Sequence, residues 1–349
     1  MPPFDPNAAA APGSGLFGLP FSEEESRLVI IPVPWDATTS YRPGTARGPA
    51  AIRDASAQID LYDLDVERPY EPGLCMRPID PAIEEMNARA RADAERIIDV
   101  GGVLDGDADL EAALSRVNEA GAWLNARVHG EVASVLVAGR IAAVLGGDHA
   151  VPFGAFTAAA ERFGEFGVLH FDAHSDTRAA YEGFTWSHAS IMHNALSRIP
   201  AITRLVQVGI RDVCEQEIAF CGAEGDRVSM FTDGMLARRL FEGVTWHALA
   251  RAVVDALPEK VWVSFDIDGL DPRFCPNTGT PVPGGLDFQQ ANHLLGEVVR
   301  SGRHIIGFDL NEVAPALDGD DEWDANVGAR LLYKLVAWTF ASQGLRRTL

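Results

Sequence analysis

The chain has 349 residues, 47% hydrophobic and 23% charged, with 29 basic against 50 acidic side chains, so the net charge is 29 − 50 = −21. Such a charge repels nucleic-acid phosphates and suits a cationic substrate. No apolar run approaches the roughly 20 residues that span a bilayer, which leaves no membrane partner to expect. The four cysteines (Cys75, Cys214, Cys221, Cys275) lack CxxC spacing and read as reduced thiols in a cytoplasmic protein.

The first 20 residues are rich in Pro, Ala and Gly, without the basic start or compact apolar core of a signal peptide. They read as a flexible or loosely draped arm, and residues 21–349 as one domain. Residues 28–33 form a first apolar strand. Tyr41-Arg-Pro-Gly-Thr-Ala-Arg-Gly-Pro49 is turn-rich, and Pro49 suits the first turn of a helix through Arg53 and Ala57. Residues 60–80 are punctuated by Asp and Pro and are expected to be irregular. Residues 81–100 and 109–140 have helical spacing and many alanines, and make a helical insertion at about 81–140. From residue 141 strands and helices alternate. Strands are predicted at 141–145, 167–171, 204–208, 228–231, 261–265 and 303–308, and helices at 152–162, 188–198, 246–257, 287–301 and 326–340. That alternation predicts a parallel sheet covered on both faces, with any site at the carboxyl ends of its strands.

Polar clusters stand at those ends: Gly146-Gly-Asp-His149, Asp172-Ala-His-Ser-Asp176, Asp266 with Asp268, and Asp309-Leu-Asn-Glu312. Singly, each has a mundane reading as a capping histidine, a solvated loop or a surface acid pair. Four such clusters after four strands need a common cause. Buried carboxylates are costly without cations, and few basic residues lie nearby in sequence. Asp266 and Asp268, two apart on an extended backbone, would point the same way and need a cation between them. His149, His174, Asp172, Asp176, Asp266 and Asp268 form a mixed imidazole–carboxylate set without thiolate, which suits Mn²⁺ or another first-row divalent ion such as Ni²⁺, Fe²⁺ or Co²⁺. Six ligands, four of them anionic, fit two ions about 3.5 Å apart, a pair able to make hydroxide near neutral pH.

With these motifs, Gly44-Thr-Ala-Arg-Gly-Pro-Ala-Ala-Ile-Arg53, Thr280-Pro-Val-Pro-Gly-Gly285 and Asn311-Glu-Val-Ala-Pro315, the chain resembles the ureohydrolases: arginases, agmatinases and related amidinohydrolases. The resemblance implies a three-layer α/β/α sandwich around a central, mainly parallel eight-stranded sheet. It implies one Mn²⁺ on His149, Asp172, Asp176 and Asp266 and a second on Asp172, His174, Asp266 and Asp268. It also implies that Glu312 holds the guanidinium, that Asp176 helps a proton to the leaving amine, and that His188 shuttles protons. Products would be urea and an amine, and the assembly a homo-oligomer, a trimer or hexamer. The chain departs from arginases in two places. Phe184, Trp186 and His188-Ala189 replace the stretch that binds the substrate α-carboxylate, and Cys214 stands where the amine-binding aspartate belongs. Arginine is therefore rejected, and agmatine is the expected substrate, with guanidinobutyrate, free guanidine or formimidoylglutamate, or an inactive metal-binding homologue, as alternatives. Trp186 is a candidate substrate contact, its ring suited to a cation or an alkyl chain.

Overall fold

The computed structural model describes residues 4–11, 13–316 and 321–349. Eight strands, β1 (Leu28–Val33), β2 (Leu74–Met76), β3 (Ile141–Gly146), β4 (Phe166–Phe171), β5 (Ile202–Val208), β6 (Val228–Phe231), β7 (Lys260–Asp266) and β8 (His304–Asn311), form one sheet in the order β2-β1-β3-β8-β7-β4-β5-β6. Every pairing is parallel. The expected three-layer sandwich is what the chain forms.

The six strands from β1 to β5 in that order are apolar and mostly buried because helices cover both faces. Side chains alternate between the two layers. Val29, Ile31 and Val33 of β1 join one core, with Ala142, Val144, Val168 and Trp262. Leu28 and Ile30 join the other, with Ala143, Leu145, Leu169, Val263 and Phe308. The first core is closed by α2 (Pro81–Ile98), α3 (Ala108–Val137), α4 (Phe153–Phe163) and α5 (Ile191–Arg198), and the second by α1 (Gly48–Ser56), α8 (Trp246–Asp255), α9 (Phe288–Arg300) and α10 (Trp323–Ser342). Helix starts follow their caps. The Asp80 carboxylate accepts from the Ala82 amide with Pro81 in the first turn, and Asp287 and Gln290 form a capping box on α9. Among the described residues no helix is long and apolar enough to cross a membrane.

Several expectations need correction. Residues 60–80 are not wholly irregular, since β2 lies there as a three-residue edge strand, too short to show periodicity. Two helices, α6 (Glu215–Ala223) and α7 (Asp233–Phe241), fill stretches for which the sequence pattern predicts no element. The arm over residues 1–20 is anchored at its end. Leu16, Phe17 and Leu19 are buried, the Phe17 amide donates to Ser56 Oγ at 2.9 Å, and its ring packs on Tyr333 at 5.0 Å. Residues 1–3 and 12 of that arm, and 317–320 of the domain, lie outside the described residues. The helical stretch expected over 81–140 is α2 and α3, which pack against each other on one face of the sheet.

Candidate metal centre

β3, β8, β7 and β4 are consecutive in the sheet, so the four polar clusters that follow them meet at one place. The Gly146-Gly147 turn permits this approach, because a Cβ on Gly147 would stand 1.9 Å from the Trp35 carbonyl oxygen. At Gly269 a Cβ would lie 2.7 Å from the Asp172 amide nitrogen, which is how the β7 and β4 loops close on each other.

His149 is fully buried. Its Nε2 lies 2.8 Å from Ser264 Oγ, and that hydroxyl donates to Asp309 Oδ1 at 2.7 Å. Asp309 also accepts from Trp262 Nε1 and Asn311 Nδ2, so it is an acceptor for all three. The Ser264 proton is thus committed, and His149 must donate through Nε2. In the neutral imidazole a metal would need, the lone pair is then on Nδ1, which faces Asp172 Oδ2 at 3.1 Å and Asp176 Oδ2 and Asp266 Oδ2 at 3.4 Å each. Burial would lower the His149 pKa, but Asp172, Asp176 and Asp266 outweigh it and raise it well above the usual imidazole value, so without a metal a proton sits on Nδ1 among them. A divalent cation in that proton's place would make the nitrogen and the three oxygens a coordination shell. Donors around a first-row ion with bonds of about 2.1 Å stand roughly 3.0–3.4 Å apart.

A second group lies beside the first. His174 Nδ1 is 3.1 Å from Asp268 Oδ2 and 3.4 Å from Asp172 Oδ1. Asp172 therefore straddles the two groups, one oxygen toward each histidine. Asp266 Oδ1 accepts from the Asp268 amide at 2.8 Å, and Asp268 Oδ1 accepts from the Ala173 amide at 2.9 Å. These bonds fix both carboxylates and leave each Oδ2 to the site. The backbone between Asp266 and Asp268 is a 3-10 turn (Ile267–Gly269), not the extended stretch expected. The two carboxylates are oriented by these amides instead. Asp309 likewise lies within β8 rather than beyond it.

Charge at this centre is one-sided. Burial and the Asp268 and Asp172 charges push Asp266 well above the usual carboxylate range. Burial and Asp148 do the same to Glu312, and burial with Asp172 pushes Asp176 up to about 7. Burial would also raise Asp172, but His170, His149 and His174 outweigh it and hold it well below. Among the described residues no lysine or arginine pairs with these carboxylates; their ion-pair partners are histidines. The donor set fits a pair of divalent ions, whose charge of +4 would balance the four aspartates. Glu312 would remain as surplus negative charge.

Glu312 is buried, with a left-handed backbone at φ 62°, and Asp176 has φ 56°. Non-glycine residues pay for this conformation and hold it where surroundings over-determine it. For Glu312 these are its amide on the Gly147 carbonyl at 2.7 Å and its carbonyl accepting from Thr278 Oγ1 at 2.7 Å. Its Oε1 accepts from the His149 amide at 2.9 Å. His188 lies in a 3-10 turn (His188–Ser190), its Nδ1 buried without a partner, and burial and the His174 charge push it down to about 4.

The loop aromatics are engaged elsewhere. Arg198 lies over the Trp186 ring at 4.8 Å and Phe153 packs on it at 4.9 Å. Phe184 is buried among Ala94, Ile97, Ala113 and Val117. Both rings tie the loop to the helical layer. Cys214 is the N-cap of α6, its amide donating to Glu217 Oε2 at 3.0 Å.

Sequence reasoning missed His170, Ser264, Gln207 and Asp309 as supports. Gln207 Nε2 donates to the Ser175 carbonyl at 2.8 Å, which fixes its amide, and also meets His170 Nδ1 at 3.0 Å. His170 thus carries its proton on Nε2 and donates it to Asp172 Oδ2 at 2.8 Å. It orients that carboxylate rather than binding a metal. The available signal was its position two before Asp172 on a strand, hence on the same face.

The arginase family model matches residues 26–337. The chain belongs to the arginase family. This arginase-family chain is 34% identical over 295 residues to an N(1)-aminopropylagmatine ureohydrolase of Thermus thermophilus, covering 84% of each chain. It is 32% identical over 321 residues to the agmatinase of Cronobacter sakazakii, covering 90% of each. The solved proclavaminate amidino hydrolase from Streptomyces clavuligerus superposes with a TM-score of 0.70 at 25% identity, over 96% of this chain and 100% of that one. The protein is an enzyme of the agmatinase-like ureohydrolase kind, a hydrolase of C–N bonds.

Proposed function

We propose that the protein hydrolyses a small guanidino compound with a cationic tail, agmatine or an N-substituted agmatine, to urea and an amine. The observation that carries the reading is Glu312, a buried carboxylate locked by the His149 amide beside a cluster of two histidines and four aspartates. Its charge is in excess of what two divalent ions would neutralise, and a guanidinium is the planar cation a carboxylate holds with paired, charge-assisted hydrogen bonds. A cationic tail is favoured by the relatives named for agmatine and its aminopropyl derivative. It is favoured too by the loss of the arginase-like elements around Trp186 and Cys214.

His149, Asp172, Asp176 and Asp266 would hold one ion, and Asp172, His174, Asp266 and Asp268 the other. Mn²⁺ is our assignment and Ni²⁺ the second choice, from the mixed nitrogen–oxygen donors. When bound, such a pair would lower the pKa of bound water toward 7 and so supply hydroxide. The protein does the rest. Glu312 presents the guanidinium carbon to the cluster and keeps the group charged. Asp176, at the cluster rim, passes a proton to the nitrogen that leaves. His188, neutral at pH 7 with an unpartnered Nδ1, exchanges that proton onward. Ser264 and Asp309 keep His149 in the tautomer with Nδ1 free. We place the enzyme in the cytoplasm, in keeping with its four free cysteines, as a homo-oligomer, a trimer or hexamer.

Urea release measured over agmatine, N(1)-aminopropylagmatine, guanidinobutyrate, arginine and guanidine, with Mn²⁺ and Ni²⁺ compared, tests the proposal. Turnover of the cationic-tail compounds well above the others is expected. No urea from any of the five would overturn the activity, and preference for guanidinobutyrate or arginine would overturn the substrate class.

A further inference from the structure

Away from the central site, a second set of metal-ligating side chains converges on the α8–α9 face. His293 and Glu297 are four residues apart and share one side of α9, and α8, packed against it, adds His247. His247 Nδ1 lies 3.4 Å from Glu297 Oε1, and His293 Nε2 lies 3.7 Å from the same oxygen. The imidazole rings are 5.7 Å apart and nearly perpendicular, at 73°. These separations are long for hydrogen bonds. They match the roughly 3.4 Å between donors around a tetrahedral ion with bonds of about 2.1 Å.

A second observation points the same way. His293 Nε2 is shielded from solvent and has no hydrogen-bond partner, an unusual state for a buried nitrogen. We propose that His247, His293 and Glu297 form a peripheral site for a zinc-like divalent ion, distinct from the central pair, with its open position toward solvent on the His247 side.

The protonation states agree with this. Burial lowers the His293 pKa, keeping the imidazole neutral at pH 7 as a ligand must be. Burial would raise Glu297, but Arg300 outweighs it and keeps the carboxylate ionised. Arg300 Nε donates to Glu297 Oε1 at 2.8 Å, taking one lone-pair direction and placing a positive charge beside the ion. Arg300 therefore weakens the site.

Calorimetric Zn²⁺ titration and metal counting after dialysis test the proposal on the full-length protein. His247→Ala and His293→Ala are each expected to lose one zinc per chain relative to the parent while Mn²⁺-supported urea release stays intact, since neither residue belongs to the central site. Arg300→Gln is expected to tighten that zinc several-fold. Equal zinc counts in the parent and both histidine variants would overturn the site, and so would weaker binding in Arg300→Gln.

Discussion

Asp172 turns one oxygen toward His149 and the other toward His174, so its loss should be felt by both metal positions. Asp268 approaches only His174. Asp172→Asn is therefore expected to bind neither ion firmly, and Asp268→Asn to keep the ion on the His149 side. Metal counted per chain after dialysis checks this, and equal losses in the two variants would contradict the division of roles. Asp266 is expected to follow Asp172 because the proposed ligand sets place it on both ions, its free Oδ2 serving both while its other oxygen is held by the Asp268 amide. Glu312→Gln isolates charge from shape. The glutamine carbonyl can still accept from the His149 amide, so the backbone at φ 62° stays supported. What goes is the anion under the guanidinium, worth on the order of 3 kcal/mol, or about a hundredfold. A kcat/KM drop of that order, with unchanged metal content and circular dichroism, is expected. A variant within threefold of the parent would mean that Glu312 does not hold the substrate.

The elements explain why some of this is legible in the sequence. Each central strand is a short apolar run ending in acids or histidine, and a strand that emerges at a site leaves that signature in one dimension. The strand order does not. That β3, β8, β7 and β4 are neighbours depends on the crossovers and brings together residues up to 163 apart, such as His149 and Glu312. The sequence misplaces Asp309 for a related reason. An aspartate normally ends a strand, but here Trp262, Ser264 and Asn311 all donate to it, and β8 runs on through it. Nothing in the local sequence announces Arg198 and Phe153 as the neighbours of Trp186. Between elements, Asp324 in the first turn of α10 accepts from the Asn277 amide at 2.9 Å and from Asn277 Nδ2 at 3.0 Å. It thereby anchors the loop whose Thr278 supports Glu312. Burial pushes Asp324 up to about 6 from an ordinary value of 3.8. A folded-state pKa above the unfolded one means that its contribution is fully present below about pH 3.8 and is lost as pH rises through 6. Asp324→Asn stays neutral, and the Asn277 amide can turn to keep the pair bonded. Its melting temperature relative to the parent should rise between pH 4 and pH 7, and parallel curves for the two proteins would rule this linkage out.

At the scale of the whole molecule, the surplus of 21 negative charges acts on whatever diffuses toward the carboxyl ends of the strands. If four aspartates are neutralised by two divalent ions, Glu312 is still negative charge at the site, within a chain that is acidic overall. A substrate with a guanidinium at one end and an ammonium at the other is attracted at both ends. A zwitterion such as guanidinobutyrate gains at its guanidinium end what it loses at its carboxylate end. Screening separates the two, since the field of exposed charges reaches about 30 Å at 0.01 M salt and only about 3 Å at 1 M. KM for agmatine should therefore climb several-fold as salt is raised across that range at constant pH and saturating metal. KM for a guanidino zwitterion, if it is turned over at all, should hardly move. The chemistry inside the pocket is shielded from bulk ions, so kcat should stay level while KM changes. A kcat that fell with salt in step with a constant KM would place the electrostatic contribution in the buried cluster instead of the surface, and would detach the acidic composition from substrate choice.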